Sequence, residues 1–296
     1  MADEIELKLA LAKEAVARVS SHSLLAKTEA VCQQLRNTYF DTPDGILEAN
    51  GSALRIRHDG KRYIQTLKTR GHSEGGLSRR GEWEWQLAAP ELNLNALAEL
   101  PVMASLGTSQ LSQLGAIFTT DFQRNTWRLD TPESQIEVAL DQGEIHTGST
   151  AHRVTICELE LELKSGSANA LLDIADTLAQ HIPLRPSDTS KAARGNFLRG
   201  HPWQLPPHSA PLQRALVALD ALNDTEQLHW LAHARQSLGT LAESTDQYVR
   251  QPASMLLERI DPASPPLPWD LHCGQLALRL VRQIAGQRHN CHTHQG

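Results

Sequence analysis

Cysteine is scarce: four residues in 296, at positions 32, 157, 273 and 291, with no Cys-x-x-Cys pair among them. That spacing supports neither a zinc site nor a disulfide framework, and it fits free thiols in a reducing compartment. Positive charge is not in excess either, since 28 Lys and Arg stand against 34 Asp and Glu for a formal net charge of −6. General nucleic-acid binding is thereby disfavoured, because affinity for a phosphate backbone needs accumulated Lys and Arg, and any anionic ligand must be gripped by a local cluster. Long apolar runs are missing: no stretch approaches the roughly 20 residues of a membrane span. The acidic start Ala2-Asp3-Glu4 has neither the basic nor the apolar region of a secretory signal. A cytoplasmic protein with no membrane and no nucleic-acid partner is expected. The apolar fraction of 40% and charged fraction of 21% are those of a globular chain, long enough for one large or two ordinary domains.

What the sequence has in quantity is alternation. Glu4-Ile5-Glu6-Leu7-Lys8-Leu9 alternates charge with hydrocarbon without a break, and successive side chains of a strand point to opposite faces. Glu4, Glu6 and Lys8 therefore share one face, where two carboxylates can reach a divalent cation and an ammonium can meet a phosphate oxygen. One such segment describes any half-buried strand; recurrence gives it weight. Leu54-Arg55-Ile56-Arg57 repeats the pattern with guanidiniums, and Glu82-Trp83-Glu84-Trp85 repeats it with carboxylates against indoles. Ile136-Glu137-Val138-Ala139-Leu140-Asp141 and Cys157-Glu158-Leu159-Glu160-Leu161-Glu162-Leu163 do so again. Thr66, Lys68 and Arg70 share a face of the run 63–70, and Arg124 stands in the strand-like run 118–129. About eight strands with charged faces of both signs predict an α+β fold, a closed antiparallel eight-stranded β-barrel with the charges in its lumen and helices over its apolar outside.

Between the strands the spacing predicts helices over 13–21 and 23–34, and a strand from 37 that runs into the turn Pro43-Asp44-Gly45. Asp59-Gly60 marks a hairpin. Residues 71–81 are read as a long, mobile connection whose Arg79 and Arg80 have two readings, a reach to a ligand at the tunnel mouth and, with more weight, plain solvation. Helices are expected over 92–100 and 103–114, a hairpin turn at Asp141-Gln142-Gly143, and an amphipathic helix over 167–181. A further helix begins near Lys191 with Asp188 or Ser190 as its cap. The proline-rich stretch 201–207 reads as a linker, after which only helical patterns follow, over 212–222, 226–248 and 274–285. Two units are expected, 1–203 and 204–296, with the second dispensable for chemistry and its His-containing tail a frayed terminus rather than a metal site.

Glu4-x-Glu6-x-Lys8 resembles the amino-terminal ExExK motif of the CYTH superfamily, the triphosphate tunnel metalloenzymes. The downstream order of Arg-x-Arg, Lys, paired Glu, Arg, Glu/Asp and Glu-x-Glu is similar too, as is Asp188-Thr189-Ser190-Lys191-Ala192-Ala193-Arg194. The resemblance covers residues 1 to about 200. It implies metal-dependent hydrolysis of inorganic triphosphate, or another polyphosphate, to pyrophosphate and orthophosphate, with Mg²⁺ or Mn²⁺ activating the attacking water. It assigns Glu4, Glu6, Glu160 and Glu162 to the metals, with Glu158 as a substitute because the three-Glu run leaves the register open. Lys8, Arg55, Arg57, Lys68, Arg70, Arg124 and Lys191 would grip the phosphates. Glu82, Glu84, Glu137 and Asp141 would bind metal through water, fix a basic side chain or deprotonate the attacking water. Some members carry a Lys two residues before the position of Arg124, where this chain has Phe122. Residues from about 208 onward resemble the start of a CHAD module, a helical domain linked with polyphosphate, but are too few for a whole one and lack its dense basic helices. Thiamine triphosphatase, class IV adenylate cyclase and a non-catalytic polyphosphate-binding module are the alternatives; carboxylates in the groove count against the last.

Overall fold

The computed structural model describes residues 2–69, 71–104, 106–148, 153–260 and 269–292. Its strands are β1 (Ala2–Leu11), β2 (Val31–Asp41), β3 (Ala53–His58), β4 (Tyr63–Lys68) and β5 (His72–Glu74), then β6 (Leu77–Leu87), β7 (Gly115–Asp130), β8 (Gln135–His146), β9 (Arg153–Ser165) and β10 (Leu184–Pro186). Among the described residues eight of them form a closed antiparallel barrel in the order β1, β9, β8, β7, β2, β3, β4, β6, and β6 returns to pair with β1. Closure leaves those strands without an open edge. The short β10 pairs with the end of β1, and β5 pairs back on β6.

The period-two pattern sets which way each strand faces. Leu7 and Leu9 of β1, Val138 and Leu140 of β8, and Leu159 and Leu161 of β9 point outward and are fully buried. They share one apolar core with α5 (Asn169–Ala179), α7 (Pro211–Thr225), α8 (His229–Ala242), α9 (Gln247–Arg259) and α10 (Leu271–His292), and with Val19 of the short helix after β1. A second outer cluster lies between β3 and β4 and the short helices α2 (Ile46–Ala49), α3 (Leu94–Ala98) and α4 (Thr108–Leu111). The remaining helices are α1 (Val16–Ser21) and α6 (Lys191–Leu198). A third cluster forms on inward-facing positions of β2, β7, β8 and β9, where Tyr39 stacks on Phe118 and Ala192 and Leu198 of α6 pack against them. Helix α6 thus closes one end of the lumen. Among the described residues no helix is long and apolar enough to cross a membrane.

Several elements differ from the sequence-based expectation. The helix expected over 23–34 is replaced by turn and by the first residues of β2, an eleven-residue strand whose pairing with β7 starts at Val31. The connection expected over 71–81 is a β5–β6 hairpin, its turn made by Gly75 and Gly76 at φ +64° and +86°. No turn forms at 141–143. Instead β8 runs straight through, and a Cβ at Gly143 would lie 2.2 Å from the Asp121 carbonyl oxygen, so that glycine serves close strand approach rather than reversal. The single helix expected over 226–248 is two, α8 and α9, separated at 243–246 where Asp246 caps the second. The side chains of the His-containing tail lie outside the described residues.

Candidate active site

The lumen holds a chamber of about 240 Å³ lined by seven carboxylates and eight cationic side chains. Glu4, Glu6 and Lys8 come from β1, and Arg55 and Arg57 from β3. Lys68 ends β4, while Arg80, Glu82 and Glu84 lie along β6. Arg124 of β7, Glu137 of β8, and Glu160, Glu162 and Lys164 of β9 complete the wall, with Lys191 entering from the first position of α6. That position is set by Ser190, whose hydroxyl accepts from the Ala193 amide and caps the helix.

Cross-strand register determines the pairs. Arg80 stands opposite Glu4; its Nε donates to Glu4 at 2.9 Å and its Nη2 to Glu6 at 2.6 Å. Lys68 reaches Glu4 at 2.6 Å and Glu82 at 3.4 Å. Burial pushes the Glu4 carboxyl up, but Lys68 and Arg80 outweigh it and hold the group at about 2. On the other side Arg124 grips Asp141 with two N–H groups, at 2.7 and 2.6 Å, and Glu160 at 2.5 Å. Lys191 lies 2.6 Å from Asp141, 2.9 Å from Glu160, and also against Glu158. The Phe122 ring sits beneath both cations, 5.0 Å from the Lys191 ammonium and 5.7 Å from the Arg124 guanidinium, and offers each its π face.

Arg57 breaks the pattern. Among the described residues no carboxylate forms an ion pair with it. Its Nε donates to Asn37 Oδ1 at 2.9 Å, and Asn37 in turn donates to Thr120. Burial, followed by repulsion from Arg55 and Arg124, pulls the Arg57 guanidinium down to about 9. Beside it the buried Nε of Arg55 has no hydrogen-bond partner, and the nearest Arg55 ion pair, to Glu82, is long at 4.0 Å. Unpaired buried donors and cations are costly unless an anion meets them. An anion placed in this corner would meet both needs.

Of the residues singled out from the sequence, the chamber brings together Glu4, Glu6, Lys8, Arg55, Arg57 and Lys68 with Glu82, Glu84, Arg124, Glu137, Glu160, Glu162 and Lys191. Arg70 lies outside the described residues. Asp141 and Glu158 do not line the chamber; they are buried behind Arg124 and Lys191, whose charges they hold. Sequence reasoning missed Lys164 and set Arg80 aside as solvated, having placed its reach to a ligand only at the tunnel mouth. Both carried a signal, because each continues the period-two alternation of its neighbours, Arg80 before Glu82 and Lys164 after Glu162.

Two carboxylate groups bear on a divalent cation. Oxygens of Asp141, Glu158 and Glu160 lie within 4.8 Å of one another and the Lys191 ammonium touches all three, but of the three only Glu160 also lines the chamber, where an oxygen can turn to a cation. The other group is crowded by like charge: Glu162 is the direct cross-strand partner of both Glu6 and Glu137. Its carboxyl is pushed up by burial, with Lys164 opposing and Glu4 and Glu137 adding to the rise. Lys164 stands 2.7 Å from Glu162 and 3.6 Å from Glu137, one ammonium shared by two carboxylates, an arrangement that a hard divalent cation can join.

The class that fold and site define is an eight-stranded antiparallel tunnel barrel lined by both signs of charge. The chain belongs to the CYTH domain family, whose model matches residues 2–196. It is 38% identical over 201 residues to an inorganic triphosphatase of Haemophilus influenzae, covering 67% of this chain and 55% of that protein, so it spans little more than half of that relative's length. In structure it resembles a Hippeastrum protein described as a candidate adenylyl cyclase with a dominant triphosphatase activity, at 21% identity and a TM-score of 0.51, over 66% of this chain and 95% of the other. That likeness concerns the fold.

Proposed function

We propose that the tunnel hydrolyses inorganic triphosphate to pyrophosphate and orthophosphate, with Mg²⁺ or Mn²⁺ as cofactor. The observation that carries this reading is the Arg55–Arg57 corner, where Arg57 has no carboxylate partner among the described residues and Arg55 only a long one, in the same chamber as a carboxylate-crowded wall. A polyanion satisfies the first and a divalent cation the second, and each lowers the cost of the other. Support also comes from the similarity to the Haemophilus protein.

Arg55 and Arg57 bind phosphate oxygens by bidentate geometry that an ammonium cannot offer. Arg124, Lys191, Lys68 and Arg80 each exchange part of a carboxylate pairing for a phosphate oxygen, so they hold the substrate and stabilise charge on the transferring phosphoryl. Glu4, Glu6, Glu160 and Glu162 would hold the metal; Glu158, held by Lys191 and Arg194, is set aside as a ligand. When bound, the metal neutralises phosphate charge and lowers the pKa of water. Among the remaining carboxylates, Asp141 is fully engaged by Arg124 and Lys191, and Glu84 accepts from Thr66 at 2.9 Å. Glu82 is shared by Lys68 at 3.4 Å and Arg55 at 4.0 Å, whereas among the described residues Glu137 meets Lys164 alone, at 3.6 Å. It is the carboxylate freest to take a proton from the attacking water.

A phosphate-release panel tests the reading: tripolyphosphate, pyrophosphate, ATP, thiamine triphosphate and long polyphosphate, each with Mg²⁺ and with Mn²⁺. Preferred release from tripolyphosphate is expected. Faster turnover of a nucleotide or of thiamine triphosphate would move the assignment to those enzymes, and binding without release from any substrate would make the protein a polyphosphate binder.

A further inference from the structure

We propose that Asp220 and Asp224 of α7, which lie outside the residues matched by the family model, are positioning residues for the chamber and act through Lys191. The inference rests on the triphosphatase reading for its kinetic test, though not for its binding test. Both carboxylates are seated under α6. Asp220, 4% exposed, accepts from Arg185 Nη1 at 2.5 Å, from Ser187 Oγ at 3.0 Å and from the Thr189 amide at 3.1 Å. It thereby clasps every second residue of the segment that leads into Ser190 and Lys191. Asp224 accepts from Arg194 Nε and Nη2, both at 2.7 Å. The remaining Arg194 nitrogen, Nη1, stands 3.5 Å from Glu158, and Glu158 is held against Lys191.

The chain of charges is therefore Asp224, Arg194, Glu158, Lys191. Its sense follows from sharing. With two of its N–H groups taken by Asp224, Arg194 makes only a long contact to Glu158, which leaves that carboxylate to hold the Lys191 ammonium at the chamber wall. Without the Asp224 charge, Glu158 becomes the only carboxylate in ion-pair contact with the buried Arg194 guanidinium among the described residues, with Asp220 acting from farther off, and is drawn away from Lys191. The ammonium then moves toward Asp141 and Glu160, and its aim at a bound phosphate is lost. A helix beyond the barrel would so set the position of a phosphate-binding cation inside it.

A double-mutant cycle in the full-length chain separates this from simple pinning of α7 to the barrel. Asp224→Asn should lower kcat for tripolyphosphate by about ten-fold in the native background and by less than about two-fold when Lys191 is already Ala, a coupling within the range for contacting networks. The loss of thermal stability should be equal in both backgrounds. The same cycle read in the Kd of tripolyphosphate without metal needs no turnover, so a wild type that binds but never cleaves sinks the activity and leaves this inference to be decided by binding. Equal losses in both backgrounds, or an Asp224→Asn protein with native kcat and Kd, would overturn it. Should Asp224→Asn fail to fold, Asp224→Glu keeps the charge that holds Arg194 and should keep kcat and Kd within about two-fold of native; a loss of about ten-fold in Asp224→Glu, equal in size when Lys191 is Ala, would overturn the inference.

Discussion

The inner and outer faces of the barrel are made by the same residues of chain in alternation, and they do opposite work. Along β1, Leu7 and Leu9 enter the apolar core shared with α5 and α7–α10, while Glu6 and Lys8 one position away enter the charged chamber. A fully buried leucine contributes about 1.5–3 kcal/mol relative to exposure. A buried ion pair contributes little, because desolvation offsets its attraction. The outer face therefore carries stability, and it supports an inner face whose charges are arranged for ligands.

The comparison breaks most sharply if the outer layer is removed. A chain ending at Gly200 uncovers the outward leucines of β1, β8 and β9 and loses Asp220 and Asp224; it should be insoluble or lack a cooperative melt, as solubility and calorimetry would report. A soluble, fully active product would show instead that the helices are dispensable. Next in size, Glu6→Gln keeps the shape and removes a charge. Turnover should fall by about 100-fold or more, as for loss of a metal-ligand interaction, while the melting midpoint moves by a few degrees. Phosphate release and thermal denaturation on one preparation check both halves.

A smaller effect distinguishes the two regions by pH. Glu4, in the chamber, has an ordinary value of 4.5 and stands at about 2, so its contribution to stability is complete above 4.5 and is lost as pH falls toward 2. Asp188 sits at the seam, accepting from Ser73 and from the Gly75 and Gly76 amides. Burial pushes it up from 3.8 to about 6 despite those hydrogen bonds, so its contribution is complete below 3.8 and is lost as pH rises through 6. Urea denaturation across pH 2–7 should show Glu4→Gln and Asp188→Asn flattening opposite windows. Least of all, Arg282→Ala removes a half-exposed pairing with Asp173 and Asp176 and should cost under about 1 kcal/mol in the same assay.

The barrel was legible in the sequence because period-two alternation with charge on one face is both a strand signal and a lumen signal. That is why Glu4, Arg55, Glu82 and Glu160 converge as expected. Arg80 was lost to its setting: glycines at 71, 75, 76 and 81 read as a mobile loop, whereas two of them make one tight turn and the strand resumes at Leu77. Asp141-Gln142-Gly143 carries turn chemistry, yet neighbouring strands on both sides hold it extended. Tertiary pairing overrode local preference there. Asp220 and Asp224 had no sequence signal at all, since a carboxylate on an amphipathic helix is ordinarily solvated and only the fold brings Arg185 and Arg194 against them.

The central claim, that the inner face binds a polyphosphate with its cations and cleaves it with its carboxylates, is tested most directly by measuring tripolyphosphate binding without metal and phosphate release with metal on wild type and Glu160→Gln side by side. The account predicts that Glu160→Gln binds metal-free tripolyphosphate at least as tightly as wild type, having lost a repelling charge, while its turnover falls steeply. Turnover left intact in Glu160→Gln, or a wild type that binds tripolyphosphate and never cleaves it, would contradict it.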